Sequence, residues 1–120
     1  MNIIEKSEGT KIGYDLTDKK LTIGGALMLA LDRYQKDWPI HVDVMADSDG
    51  NLALGSRRFY VAEVDIPARE YDVTEVDDPN PPAGGEGDGK TIIRTPKDLD
   101  TDNVTLTLWS IDGLNLPAEE

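Results

Sequence analysis

Cysteine is absent from this sequence of 120 residues, and histidine occurs only once. Without cysteine the chain can form neither a disulfide framework nor a thiolate zinc site, and it has no cysteine nucleophile. Long hydrophobic runs are also missing, since no apolar stretch reaches the eighteen or so residues that a membrane-spanning helix requires. We therefore expect a cytoplasmic protein that does not associate with membranes. Its length predicts a single small domain over residues 1–120, ending in a tail at 115–120.

Basic residues are scarce as well. The chain has 24 Asp and Glu against 12 Lys and Arg, which gives a formal net charge of −12. The imbalance lies in the second half, because residues 61–120 hold fifteen acids and four bases whereas residues 1–60 hold nine and eight. A field of this sign repels nucleic acid and favours basic partners. We expect no direct nucleic acid binding and a protein partner that is basic.

The hydrophobic pattern predicts a mostly antiparallel sheet of about six or seven short strands. From Ile40 onward apolar and polar residues alternate with a period of two, as in a strand with one buried face. A two-residue loop, Asp49-Gly50, would place the apolar residues of the next strand on the face opposite Val44. A three-residue loop with Gly50 left-handed would instead pair Val44 with Leu54 and bury both apolar sets together. We prefer the three-residue loop.

Further strands continue this pattern. The run at 104–111 carries apolar residues on both faces, which predicts a central or covered strand. The runs at 57–66 and 69–76 predict a meander that extends the same sheet. The remaining predicted strands lie at 2–6, 10–16 and 91–95.

One helix is predicted at about residues 25–37. This stretch is rich in strong helix formers and is stopped at Pro39. Leu27, Leu31 and Tyr34 recur at helical spacing, so one side of the helix is apolar. We therefore predict an α+β fold in which this helix packs on one face of the sheet.

A segment rich in proline, glycine and acidic residues occupies positions 77–90. Its fourteen residues include three prolines, four glycines and four acids but no large apolar residue, so we expect a long flexible loop outside the core. The loop spells the phosphate-binding pattern G-x-x-x-x-G-K followed by serine or threonine, through Gly84, Gly89, Lys90 and Thr91. Such a site needs a buried strand before the pattern and a helix after it, whereas "DPNPP" precedes it and "IIRTP" follows. We interpret the match as chance and expect no cofactor.

Alternate acidic residues in "DSDGN" are also typical of calcium loops. Placing the glycine of such a loop at Gly50 makes Asp47 and Asp49 ligands, but puts Met45 at the first position and Ser56 at the twelfth, where carboxylates are needed. A hairpin turn explains the same residues without a metal. We assign no metal ligand.

The single histidine does not indicate catalysis. His41 shares a strand face with Asp43, opposite the apolar residues, so we expect it at the surface. Ser56 would lie on the other face from His41 in the preferred register, which argues against a Ser-His-Asp arrangement. We assign no catalytic residue and expect a protein that is not an enzyme.

Three non-enzymatic hypotheses remain. The first is a small acidic interaction or assembly module that binds a protein partner through an edge strand, an aromatic patch or the loop, as a bacterial or phage accessory protein. The second is a nucleic-acid mimic that occupies the basic site of a nucleic-acid-binding protein, since acids recur at i,i+2 spacing, about 6.6 Å apart along a strand. The third is a weak cation-binding protein. We assign partner binding to Glu63, Asp65, Glu70, Asp72, Asp77, Asp78 and Trp109.

Overall fold

A computed structural model of the chain describes residues 1–77, 90–114 and 116–117. These residues form ten strands, one turn of α-helix and a 3-10 turn at Thr101–Asn103. The predicted loop core, 78–89, and most of the predicted tail lie outside the described residues. In chain order the elements are β1 (Asn2–Glu5), β2 (Tyr14–Thr17), β3 (Lys20–Ile23), β4 (Leu27–Ala30), α1 (Leu31–Tyr34), β5 (Ile40–Ala46), β6 (Leu52–Leu54), β7 (Phe59–Ile66), β8 (Tyr71–Asp77), β9 (Lys90–Pro96) and β10 (Thr105–Leu108).

The strands belong to three sheets rather than to one. A five-stranded sheet has the order β1-β10-β7-β5-β6, a three-stranded sheet has the order β2-β3-β4, and β8 pairs with β9 alone. All pairs are antiparallel except β1 with β10, so the largest sheet is mixed. The predicted antiparallel-rich β structure is confirmed, whereas ten strands replace the six or seven expected. The prediction that 104–111 contains a central strand is also confirmed, because β10 lies between β1 and β7.

The hairpin between β5 and β6 has the predicted register. Val44 lies opposite Leu54 and Ala46 opposite Leu52. Gly50 is left-handed with φ of 83°, as the three-residue loop requires. The carboxylate of Asp47 accepts hydrogen bonds from backbone N–H groups within this loop, at 2.9 Å each. The first acid of "DSDGN", Asp47, therefore stabilises a turn.

The predicted helix at 25–37 is wrong. Its first part is strand β4, which pairs antiparallel with β3, and only the four residues of α1 are helical. Gly24 and Gly25 both have positive φ, 60° and 67°, and form the tight turn of this hairpin. Leu29 lies opposite Leu21, and both side chains are buried. The glycine pair was a hairpin signal, and cross-strand packing outweighs the helix propensity of the residues that follow it.

The predicted meander from β7 into β8 is also wrong. After β7 the chain leaves the five-stranded sheet, and among the strands that the structure describes β8 pairs only with β9. Arg69 fixes the segment that connects β7 to β8. Its backbone N–H donates to Lys36 O at 2.7 Å, and its side chain donates to Gln35 O at 2.9 Å. The β8–β9 hairpin is therefore a separate two-stranded arm, and its outer end, at Asp77 and Lys90, occupies both ends of the predicted loop.

The hydrophobic core lies between the five-stranded and the three-stranded sheet. One contiguous cluster of buried side chains joins them, so the two sheets face each other as layers. The three-stranded sheet contributes Leu21, Ile23 and Leu29, while the five-stranded sheet contributes Val44, Ala46, Val61, Ala62, Val64, Ile66, Leu106 and Leu108. The outer face of the five-stranded sheet carries mainly polar and aromatic side chains, together with Ile4 and Met45.

Candidate interaction surface

Two neighbouring strands place charged side chains in register on the outer face of the five-stranded sheet. Strand β5 pairs with β7 so that His41 lies opposite Asp65 and Asp43 lies opposite Glu63. Residues directly opposite each other in a sheet point to the same face, so all four side chains lie together. Along each strand these residues alternate with residues that point towards the core, so their own side chains point away from it. The structure thus gathers one imidazole and three carboxylates in a patch of two cross-strand pairs.

The imidazole of His41 lies among the three carboxylates. Its Nδ1 is 2.6 Å from Asp65 Oδ1, and its Nε2 is 2.8 Å from Asp43 Oδ1 and 3.4 Å from Glu63 Oε1. The side chain of His41 stays 48% exposed, as the sequence predicted for a surface residue. The hydrogen bond with Asp65 raises the pKa of His41 and that with Asp43 adds to the effect, while partial desolvation acts in the opposite direction. The site therefore favours the protonated imidazole, which offsets part of the local negative charge.

An aromatic pair adjoins this patch. The rings of Tyr60 and Trp109 stack with centroids 5.3 Å apart and an interplanar angle of 25°. Trp109 follows the end of β10, and its indole Nε1–H donates to Glu63 Oε2 at 2.8 Å. Tyr60 is 42% exposed, although aromatic side chains of this size are usually more deeply buried. The hydrogen bond to Glu63 thus joins the rings and the carboxylates.

The charged patch and the aromatic pair together form what we call the acidic–aromatic surface. A groove of about 380 Å³ runs beside the aromatic pair and is lined by Arg58, Phe59 and Leu114 among others. A smaller groove of about 220 Å³ adjoins His41 and Asp65 at the other end of the patch. The acidic–aromatic surface comprises His41, Asp43, Tyr60, Glu63, Asp65 and Trp109.

The structure divides the residues that the sequence assigned to partner binding. Glu63, Asp65 and Trp109 lie together on the acidic–aromatic surface. Glu70 lies at the base of the arm, next to β8, and Asp72 lies in β8, where its carboxylate is 3.6 Å from Lys97 Nζ. Asp77 ends β8, and Asp78 lies outside the described residues.

The residues that match the phosphate-binding pattern are followed by a different secondary structure from the one found in a nucleotide-binding site. Gly84 and Gly89 lie outside the described residues. Lys90 and Thr91 begin strand β9. A phosphate-binding loop leads into a helix, whose free N–H groups face the phosphates, whereas this pattern leads into a strand.

Three side chains of the surface could hold a cation, although the sequence indicated no metal ligand. One ligand atom from each of His41, Asp43 and Glu63 lies within 4.8 Å of the others. Asp65 on Nδ1 of His41 and the Trp109 indole on Glu63 would orient two of these ligands from outside, as outer-shell partners do in metal sites. The calcium-like "DSDGN" is not part of this group, and the pKa of Asp47 is lowered mainly by the hydrogen bonds from Asn51 that fix the turn.

No helix among the residues that the structure describes combines the length and the apolar character needed to cross a membrane. No protein-family model matches this chain, and no curated protein or solved structure matches it either. Its function must therefore be inferred from its own residues.

Proposed function

We propose that this protein is a non-catalytic interaction module that binds a protein partner through the acidic–aromatic surface. The observation that carries the proposal is the hydrogen bond from Trp109 Nε1 to Glu63 Oε2. This bond fixes a partly exposed aromatic pair beside the carboxylates around His41. The rings and the carboxylates therefore form one continuous surface. Tryptophan and tyrosine are enriched among the residues that contribute most to protein–protein binding, so the pairing favours a protein ligand.

The chemistry of the surface favours a partner that presents arginine or lysine. The carboxylates of Glu63 and Asp65 would form charge-assisted hydrogen bonds with such cations. The ring faces of Tyr60 and Trp109 would attract the same cations, and their apolar area would cover the aliphatic parts of the side chains. We expect an extended basic segment of the partner to lie along the sheet from the aromatic pair towards Asp65.

A nucleic-acid mimic accounts less well for the distribution of charge. It would present carboxylates as a dense row of one sign, in place of phosphates. Here Glu63 and Asp65 lie around His41, while Asp72 lies on the arm and is paired with Lys97. The acids that follow one another in the sequence are thus divided between two elements, and each group includes a basic side chain.

Capture of the partner from a bacterial extract, at low and at high salt, tests the interaction proposal. Trp109→Ala and the double variant Glu63→Gln/Asp65→Asn should each reduce capture. Asp18→Asn/Asp32→Asn removes the same amount of charge from exposed positions of the three-stranded-sheet layer and should leave capture unchanged. Retention of the partner at high salt would agree with a contact that is partly apolar.

Two results would contradict the proposal. Equal capture by the surface variants and by the control variant would place the contact elsewhere. Capture of nucleic-acid-binding proteins alone, with complete loss at high salt, would favour the mimic. Far-UV circular dichroism of each variant separates lost binding from lost folding.

Cation binding is a second candidate function, favoured by the ligand geometry of His41, Asp43 and Glu63. One imidazole nitrogen with carboxylate oxygens is a ligand set suited to Zn²⁺ and related divalent ions. A metal must displace the proton from His41, so the carboxylates that raise its pKa also make metal binding weaker at low pH.

Titration with Zn²⁺, followed by NMR of the His41 ring, tests this second candidate. Binding should shift the His41 signals at pH 8 and weaken as the pH falls. Asp43→Asn should weaken it, whereas Asp49→Asn, in the turn that follows the same strand, should not. Equal effects of both substitutions would indicate only diffuse attraction of the ion.

A further inference from the structure

The arm formed by β8 and β9 exposes more apolar side chain than a hairpin of this kind usually does. Its seven cross-strand pairs make a ladder about 20 Å long. Val73 and Ile92 are 63% and 65% exposed, and Ile93 is 46% exposed. An isolated two-stranded hairpin is marginally stable in water, so apolar residues on its surface indicate that something else covers it.

Both edges of the arm are free among the residues that the structure describes, because no other strand pairs with β8 or β9. The backbone N–H of Lys97 donates to Glu70 O at 2.8 Å, so this pair faces inward at the base of the arm. Inward and outward pairs alternate along an antiparallel ladder. The backbone groups of Val73 and Glu75 on β8, and of Ile92 on β9, therefore point away from the arm and are available to another strand.

The two edges carry opposite charge. Strand β8 contains three acidic residues and no basic one, whereas β9 contains two basic residues and no acidic one. Pairing β8 with a second β8, or β9 with a second β9, would place like charges side by side. Pairing β8 of one copy with β9 of another places opposite charges side by side. The register puts Glu75 and Arg94 on the same face of the arm, so their attraction can act between copies.

We propose that the arm is a self-association element, in which the β8 edge of one copy pairs with the β9 edge of a second copy. The antiparallel order then continues from one arm into the next, with Glu75 of one copy opposite Ile92 of its neighbour. In this register Val73 lies diagonal to Ile92, and Glu75 lies diagonal to Arg94. The contact joins two different surfaces, so each copy keeps one free edge and further copies can add until a ring closes. This assembly is independent of the acidic–aromatic surface.

Sedimentation velocity of the full chain over a wide range of concentrations, at low salt, tests the proposal. We expect species larger than a monomer that dissociate on dilution. Arg94→Glu leaves β9 with one basic and one acidic residue, which cancels its net positive charge, and should weaken association about tenfold. The double variant Glu75→Arg/Arg94→Glu reverses both partners and should restore most of it. Asp32→Lys changes charge away from the arm and should have no comparable effect.

Ile92→Pro provides a test that does not depend on charge. It removes an outward N–H and leaves the inward hydrogen bonds of the arm in place, so association should fall while the circular dichroism spectrum stays the same. A wild-type chain that is monomeric up to millimolar concentration would overturn the proposal. So would association that survives both Arg94→Glu and Ile92→Pro, or a double charge reversal that fails to restore it.

Discussion

Replacing Gly25 with alanine should destabilise the protein, because this residue has φ of 67° in the turn between β3 and β4. A left-handed conformation costs a residue with a Cβ about 1–2 kcal/mol. A methyl group at Gly25 would contact nothing within 4 Å, so no packing cost adds to this backbone cost. The sign of the change in unfolding free energy distinguishes a hairpin from a helix in this segment. In a helix, alanine would instead stabilise the protein by about 1 kcal/mol.

Gly24→Ala is the matched comparison. The backbone cost is similar, with φ of 60°, but a Cβ at this position would lie 2.9 Å from Ile12 Cδ1 and 3.2 Å from Leu52 Cδ1. These atoms belong to the core between the sheets and must move, which adds about 1–3 kcal/mol. We therefore expect Gly24→Ala to destabilise the protein more than Gly25→Ala does.

Urea unfolding measures both effects. The midpoint should fall for each variant while the slope of the transition stays constant. In thermal unfolding, each kcal/mol should lower the melting temperature by roughly 4 °C. A higher midpoint for Gly25→Ala would refute the hairpin and support the helix, and equal midpoints for the two variants would refute the packing around Gly24.

Substitutions at three other positions should also change stability. His41 should titrate above its ordinary pKa in NMR because of Asp65, so His41→Asn should lower stability at pH values below about 6.5, with the difference vanishing as the pH rises through the folded-state pKa. Leu106→Ala, at a fully buried position, should cost about 2–5 kcal/mol in urea unfolding. Gly9→Ala should cost about 1–3 kcal/mol in the same assay because φ is 117°, whereas the exposed carboxylate of Asp112 can move aside from the added methyl group.

The parts of the fold that could be predicted from sequence are those encoded within a few residues. The period of two from Ile40 onward, the turn glycine Gly50 and the burial of both apolar sets fix the β5–β6 register without reference to the rest of the chain. The helix prediction failed because "LMLA" satisfies a helical period and a strand period equally well. Leu21 on the neighbouring strand decides between them, and local sequence does not reveal that partner.

The candidate surface could be predicted only in part. The sequence identifies Glu63 and Asp65 as acids on one strand face, and it identifies Trp109 as an aromatic residue that could be exposed. Their assembly around His41 depends on the pairing of β5 with β7, which includes an irregularity between Val44 and Met45, and on the position of β10 beside β7. The charged pairs of this surface join residues twenty or more positions apart, so no local pattern indicates them.

Photocrosslinking detects directly whether the acidic–aromatic surface contacts a protein partner. A photoreactive phenylalanine derivative replaces Tyr60 on this surface or, as the control, Met28, which is 60% exposed on the three-stranded sheet. After irradiation in a bacterial extract, we expect a covalent adduct with a protein from position 60 and none from position 28. An adduct from position 28 alone, or none from either, would contradict it.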